Sequence, residues 1–419
     1  MKSEMNRSTG LLKSKFTMGG LYSIFTMVLL LAALLGGREA RAQRYGSEVP
    51  YFSFGKGVGI ISPDSMYLLN IRFRMQNRVG FTTESMSDLS LSEVEARIRR
   101  LRLRFDGFML TERLTYVIQL SFTRGDLDFD DTGFPNIIRD AMLYYAVTPR
   151  LTIGLGQTKL PGNRQRVNSS GDLQFTDRSV VNSNFNIDRD FGLQVIYRQN
   201  IEDFWMVYRA SLTSGEGRNI NTTDLGLAYT GRVEFLPLGL FKNGGDYFEG
   251  DLMREEKPKI SLGLTFSRNE EANRAGGTIG PFLFENRDIN TYMSDFLMKY
   301  NGFALSTELL LREANDPITV NSETGDEAHV LTGLGWNLQA SYLFKNNFEV
   351  AARYSTIRPE HELAIYETDQ AQYQVGVTKY LRGHRLKLQS DLTYDQYQSI
   401  LTNDERGHWI LRFQVELGI

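Results

Sequence analysis

The feature that most constrains this 419-residue chain is a period of two. Beyond about residue 65, apolar and polar residues alternate in segment after segment, which sends successive side chains to opposite faces of a strand. From Tyr67 to Arg78, Tyr67, Leu69, Ile71, Phe73 and Met75 share one face, and Asn70, Arg72, Arg74, Gln76 and Arg78 the other. Leu101, Leu103 and Phe105 stand against Arg100, Arg102, Arg104 and Asp106 in the same way. About sixteen such segments can be placed, at 66–80, 96–109, 114–123, 139–147, 151–158, 189–198, 203–212, 224–236, 258–268, 291–300, 302–312, 332–344, 346–356, 372–381, 384–394 and 408–418. Many reach about 9–11 residues, enough to cross a bilayer as a tilted strand.

The connections alternate in length. Long stretches at 81–95, 124–138, 159–188, 313–331, 357–371 and 395–407 are interleaved with short ones such as 110–113, Thr148-Pro149-Arg150, 199–202, Lys345-Asn346 and Arg382-Gly383. Outer-membrane barrels pair short periplasmic turns with longer outer loops, and an even strand count puts both termini on the periplasmic side. The expected fold is therefore all-β, a transmembrane antiparallel barrel of about sixteen strands. One connection breaks the pattern. Residues 237–257 fall where a short turn belongs, so either the turn is extended or a hairpin is miscounted.

Composition agrees once the two faces are separated. The chain carries 26 Phe and 20 Tyr, yet its mean hydropathy is −0.31. A barrel with a lipid-facing outer surface and a watery lumen averages out in this way. A soluble sandwich, the competing reading, would rarely turn several arginines towards its core, because unpaired buried charge is costly. The net charge of −3 argues against nucleic-acid binding, and the absence of cysteine removes thiolate chemistry. At the N-terminus, Lys2, Arg7, Lys13 and Lys15 precede an apolar run from Leu21 to Leu35 and the motif Ala40-Arg41-Ala42. This reads as a secretory signal peptide over 1–42, followed by a short segment 43–65 and the barrel over 66–419.

The polar faces carry the candidate function. Arg72, Arg74 and Arg78 on the first strand and Arg100, Arg102 and Arg104 on the second form one positive stripe if the strands are neighbours. Closure of the barrel brings Arg412 alongside. Rows of arginine favour anions and suit planar or multidentate oxyanions. The competing reading is a salt-bridge lattice with the inward acids Asp106, Glu308, Glu349, Asp391 and Glu416. The third outer loop, 159–188, is long, aperiodic and highly charged, and is expected to fold into the lumen as a constriction, with Lys159, Arg164, Arg166 and Arg178 as candidate residues. No metal or cofactor is expected. The four histidines lack metal spacing, and the acidic run at 126–131 resembles a calcium loop by charge alone.

Three stretches resemble the phosphate-selective porin O and P family: RIRRLRLRFDG at Arg97 to Gly107, RDAMLYYAVTPRLTIGLGQTKLPGNRQR at Arg139 to Arg166, and LQFTDRSVVNSNFNIDRDFGLQ at Leu173 to Gln194. The resemblance implies a sixteen-stranded barrel, usually trimeric, with an inward third loop and a ladder of arginines. Arg72, Arg74, Arg100, Arg102 and Arg104 match ladder positions, and Lys159 and Arg166 the constriction. Where the family commonly has an aromatic after the loop proline, this chain has Pro161-Gly162-Asn163. The expected role is passive diffusion of small hydrophilic solutes, with preference for anions such as phosphate. The expected surroundings are outer-membrane lipid and lipopolysaccharide, and the expected assembly a homotrimer. The alternatives are a non-selective or sugar-passing porin and a barrel with a blocked lumen.

Overall fold

A computed structural model describes residues 57–123, 128–129, 135–220 and 226–419. The expected signal peptide, residues 43–56 and the acidic run at 126–131, apart from the backbone of Asp128 and Phe129, lie outside them.

Sixteen antiparallel strands form the wall: β1 Tyr67–Thr83, β2 Leu91–Met109, β3 Thr111–Ser121, β4 Ile138–Ala146, β5 Leu151–Lys159, β6 Arg189–Ile201, β7 Phe204–Thr213, β8 Ala228–Leu236, β9 Lys259–Arg274, β10 Phe282–Tyr300, β11 Phe303–Ala314, β12 Gly333–Leu343, β13 Phe348–Pro359, β14 Thr368–Tyr380, β15 Leu386–Ser399 and β16 Glu405–Gly418. Each pairs with the next, and β16 closes on β1 from Arg74↔Gly418 to Thr82↔Ile410. Every expected segment is present. Where the ends differ, most of the differences lie on the outer side. There β9 runs on to Arg274 and β10 begins at Phe282, so the hydrogen-bond ladder continues past the point where the lipid-dictated alternation stops. The turns on the opposite side are tight, except the one after β8. Between β10 and β11, Asn301 at φ 48° and Gly302 at φ 89° make a two-residue connection with both angles positive, the geometry that matches strand twist. Below Arg74 the free edge of β1 is covered by a short strand, Val58–Ile61, which pairs Val58↔Ile71 and Ile61↔Leu68.

The outward face is apolar and exposed. Leu155, Leu193, Leu264, Phe266, Tyr292, Leu309, Val375, Leu392 and Phe413 all project from the wall. In water this would be an aggregation surface; it is the face a bilayer requires. Towards the outer ends of β12–β16 five rings form a continuous row. Centroid separations are 5.6 Å for Trp336–Tyr354, 5.0 Å for Tyr354–Tyr373, 6.3 Å for Tyr373–Tyr394 and 4.9 Å for Tyr394–Trp409. Aromatics of this kind mark the level of a membrane interface.

The lumen is partly filled from both ends. From the outer side comes loop 160–188, with two short helices, α1 Arg164–Val167 and α2 Val180–Phe185. Its apolar residues Leu160, Val181, Phe185 and Ile187 pack on the inward-facing Met293, Leu310 and Ile357. From the periplasmic side comes the extended turn 237–258, which resolves the one irregular connection: it is a real turn, and it folds inward. Phe241 joins Met142, Tyr144, Ile196, Val207, Leu236 and Leu297 in a second apolar cluster.

Candidate functional site

Strand register sets the site. In the β1–β2 pair, Arg72 lies directly opposite Arg104 and Arg74 opposite Arg102. At the root of the inner loop, Lys159 on β5 faces Arg189 on β6. Like charges directly opposed on one face weaken a sheet, so these pairs need compensation or a use. Part of the compensation is local: Asp106 accepts from Arg72 Nη2 at 2.7 Å and from Arg104 Nε at 3.0 Å.

The inner loop supplies the rest. Ser169 Oγ accepts from Arg74 Nη1 at 2.9 Å. Ser170 Oγ accepts from Arg74 Nη2 at 2.8 Å and from Arg102 Nη1 at 2.9 Å. Nearer the outer end, the Asp177 carboxylate accepts from Arg78, Arg99 and Arg100 at 2.6, 3.1 and 2.9 Å. Burial would raise the Asp177 carboxyl, but the guanidiniums of Arg100, Arg99 and Arg78 outweigh it and hold it well below the usual carboxylate range. The arginine row is thus divided. Its outer part binds the Asp177 carboxylate of the loop; in its inner part Arg74 and Arg102 donate to the Ser169 and Ser170 hydroxyls, Arg74 lies 3.9 Å from Glu416, and Arg72 and Arg104 share Asp106.

A cavity of about 160 Å³ lies along that inner part. Seven cationic side chains line it: Arg72, Arg74, Arg102, Arg104, Lys159, Arg189 and Arg385. Three acidic ones join them, Asp140, Asp172 and Glu416, with Ser169, Ser170, Gln119 and Thr158 as neutral polar neighbours. Arg189 Nε is paired with Asp140 at 2.9 Å, and Lys159 Nζ donates to the carbonyls of Val167 and Asn168 at 3.1 and 2.8 Å. The cavity therefore has a cationic excess, but one held in place by donors and acceptors rather than a bare row.

Extended turn 237–258 walls off the other side. Lys299 Nζ donates to the carbonyls of Gly245 at 2.5 Å and Phe248 at 2.7 Å, and also to that of Gly250. The Tyr247 hydroxyl donates to Glu234 at 2.6 Å and accepts from Arg209. Turn and loop meet in mid-lumen. Glu249 N donates to Asp172 O at 2.9 Å, and the Glu249 carboxylate accepts from Gln174 N at 2.8 Å and Gln165 Nε2 at 3.0 Å. The cavity lies between these two elements and the wall of β1–β5 and β16.

The residues singled out from sequence divide accordingly. Arg72, Arg74, Arg102, Arg104 and Lys159 line the cavity, Lys159 as the last residue of β5 rather than part of the loop. Arg78 and Arg100 grip Asp177 instead. Arg412 faces inward beside Gly80 of β1 and opposite Asp391, away from the cavity. Arg164 points to the far wall, where Nε lies 3.3 Å from Asp295 and Nη2 2.7 Å from Ser261. Arg166 pairs with Asp188, and Arg178 braces the loop internally through the carbonyls of Gln165 and Asn168 at 2.8 and 2.9 Å. Arg385 falls on an inward position of the segment 384–394, whereas Arg189 and the hydroxyls of Ser169 and Ser170 are not among the pathway residues that the sequence points to. The register partner of Lys159 was the available signal for Arg189.

The sequence profile of the phosphate-selective porin O and P family matches residues 69–415. The chain belongs to this family. As an outer-membrane porin it also resembles solved barrels at low identity. The outer membrane channel DcaP of Acinetobacter baumannii shares 10% identity over 86% of this chain and 99% of that one, with a TM-score of 0.51. An anion-selective porin from Comamonas acidovorans shares 13% over 84% and 99%, at 0.50. OprB of Pseudomonas putida shares 8% over 84% and 94%, at 0.53. Likeness at such identities speaks for the fold alone. No curated protein matches the chain.

Proposed function

We propose that this porin passes small hydrophilic solutes passively across the outer membrane, with a preference for anions such as phosphate. The observation that carries this reading is the cavity with seven cationic residues against three acidic ones. Guanidinium forks take over part of an oxyanion's hydration, and several weak sites in series let it leave again. The Ser169 and Ser170 hydroxyls, already turned to Arg74 and Arg102, suit the same ligand chemistry. The family's description as phosphate-selective supports the reading from outside the structure. Export through a signal peptide cleaved after Ala42, contact with lipopolysaccharide and assembly as a homotrimer belong to the same proposal. No cofactor takes part, and transport needs no catalytic residue.

Reversal potential in a salt gradient across planar bilayers is the test. Replacing Arg102 and Arg104 together by Glu should lower the anion-to-cation permeability ratio by about fivefold or more, because four units of charge change beside the path. An unchanged reversal potential means that these arginines do not face permeating ions. A purified protein that never conducts points instead to a barrel whose lumen the loop and the turn block.

A further inference from the structure

Three guanidiniums converge on one carboxylate at the outer end of the arginine row, and that carboxylate belongs to the inner loop. Asp177 Oδ2 is 2.6 Å from Arg78 Nη1, and Oδ1 is 2.9 Å from Arg100 Nη2 and 3.1 Å from Arg99 Nη2. Forked donors around a planar oxyanion are the arrangement arginine provides for carboxylate and phosphate ligands. Here the ligand is supplied by the chain itself. The cluster is not sealed: the Asp177 side chain keeps 24% of its exposure and Arg99 20%.

The backbone at this point is held without help from the carboxylate. Arg353 donates to Asp177 O from Nη1 at 3.2 Å and Nη2 at 3.1 Å. Thr176 N donates to Asp391 at 2.9 Å, and Thr176 O accepts from Arg78 Nη2 at 2.6 Å. The side chain can therefore swing away while the loop stays docked. The next group inward, Ser170 between Arg74 and Arg102, is two residues along β2 from Arg100 and four along β1 from Arg78, a step of roughly 7–13 Å.

We propose that Asp177 is a tethered anion filling the outermost anion site of the pathway, and that an entering oxyanion such as phosphate displaces it from the three arginines before moving inward to Arg74 and Arg102. This rests on the anion-passing reading above. A site of three guanidiniums, offset only by Glu95 at 3.8 Å from Arg78 Nη1, would hold a multivalent oxyanion too tightly to pass it on. Competition from a carboxylate that cannot diffuse away keeps the site weak enough to release, which conduction requires.

The test compares wild type with Asp177→Asn in planar bilayers, titrating inorganic phosphate against the chloride current. Phosphate should inhibit the variant at a concentration about tenfold lower, with anion-over-cation selectivity retained. Unaltered or weaker inhibition overturns the proposal. A several-fold rise in conductance with loss of selectivity also overturns it, since Asp177 is then only a latch on the loop. If Asp177→Asn yields no barrel, Arg99→Gln decides: removing one donor should raise the inhibiting phosphate concentration about threefold, and no change refutes the exchange. Wild-type channels indifferent to phosphate would sink the anion reading together with this one, whereas wild-type inhibition left intact in the variants sinks this proposal alone.

Discussion

Asp172 sits on the inner loop and borders the cavity beside Arg74 and Lys387. Burial pushes its carboxyl up to about 6; Arg74 and Lys387 oppose the shift and Glu416 adds to it. Above that pH the residue is ionised and offsets one of the cavity's cations. On lowering the pH from 7 to 5 it takes up a proton and the cavity becomes more positive. The anion-to-cation permeability ratio should then rise by about twofold, and Asp172→Asn should remove that rise; a ratio flat between pH 7 and 5 in wild type would count against it. Stability follows the same sign. A raised carboxyl favours the fold below its unfolded value near 4, and that contribution is lost as pH climbs through about 6. For His384, close by in the turn between β14 and β15, burial with Lys387 and Lys299 holds the imidazole well below its ordinary value. At this scale the sequence was informative where parity applied. Strand residues such as Arg74 and Arg102 fall to the lumen because alternate positions must face it. For Arg164, Arg166 and Arg178 no period exists to read, and their partners Asp295, Asp188 and Gln165 come from long-range packing.

The inner loop is an element whose position depends on bare spots in the wall. A Cβ at Gly335 on β12 would lie 2.7 Å from Val181 Cγ1 and 3.0 Å from Phe185 Cδ2. A Cβ at Gly376 on β14 would lie 2.8 Å from Phe175 Cε1. The loop's apolar residues press into the room those glycines leave, each buried large side chain contributing roughly 1.5–3 kcal/mol. Replacing Gly335 and Gly376 together by Val should lift α2 and Phe175 off the wall. Single-channel conductance is expected to rise about twofold or more, the direction that widening a water-filled constriction requires; an unchanged conductance would show that the loop adjusts without moving inward or outward. The extended turn 237–258 illustrates why such elements are hard to foresee. Its length stood out against the alternation of connections, and its glycines and acids were visible. That Glu249 reaches Gln174 and that Lys299 collects three carbonyls depends on a lumen that exists only after the barrel closes.

At the scale of the whole molecule, closure of β16 on β1 removes the last open strand edges of the wall. Deleting residues 410–419 should expose the edges of β15 and β1 and abolish the folded barrel. Protease resistance and the gel mobility shift between unheated and heated samples would report this, and a truncated chain still resistant in the unheated form would contradict it. The architecture was nearly complete in the sequence, because lipid outside and water inside impose one choice per residue along each strand. The count of strands and the alternation of loops followed from that single rule, while the strand extensions beyond the bilayer did not, since no lipid dictates their pattern.

One further consequence lies in how the loop is held. Arg78, Arg99 and Arg100, the cations nearest the outer entrance, are the same groups that the inner loop covers with its Asp177 carboxylate. Aperture and charge therefore cannot drift independently in descendants of this sequence. A lineage that loosens the loop to admit bulkier nutrients unmasks cations at the same moment, and one that discards Arg78 loses a hold on the Thr176 carbonyl together with one on Asp177. Relatives adapted to larger neutral solutes should show both sets of changes arriving together.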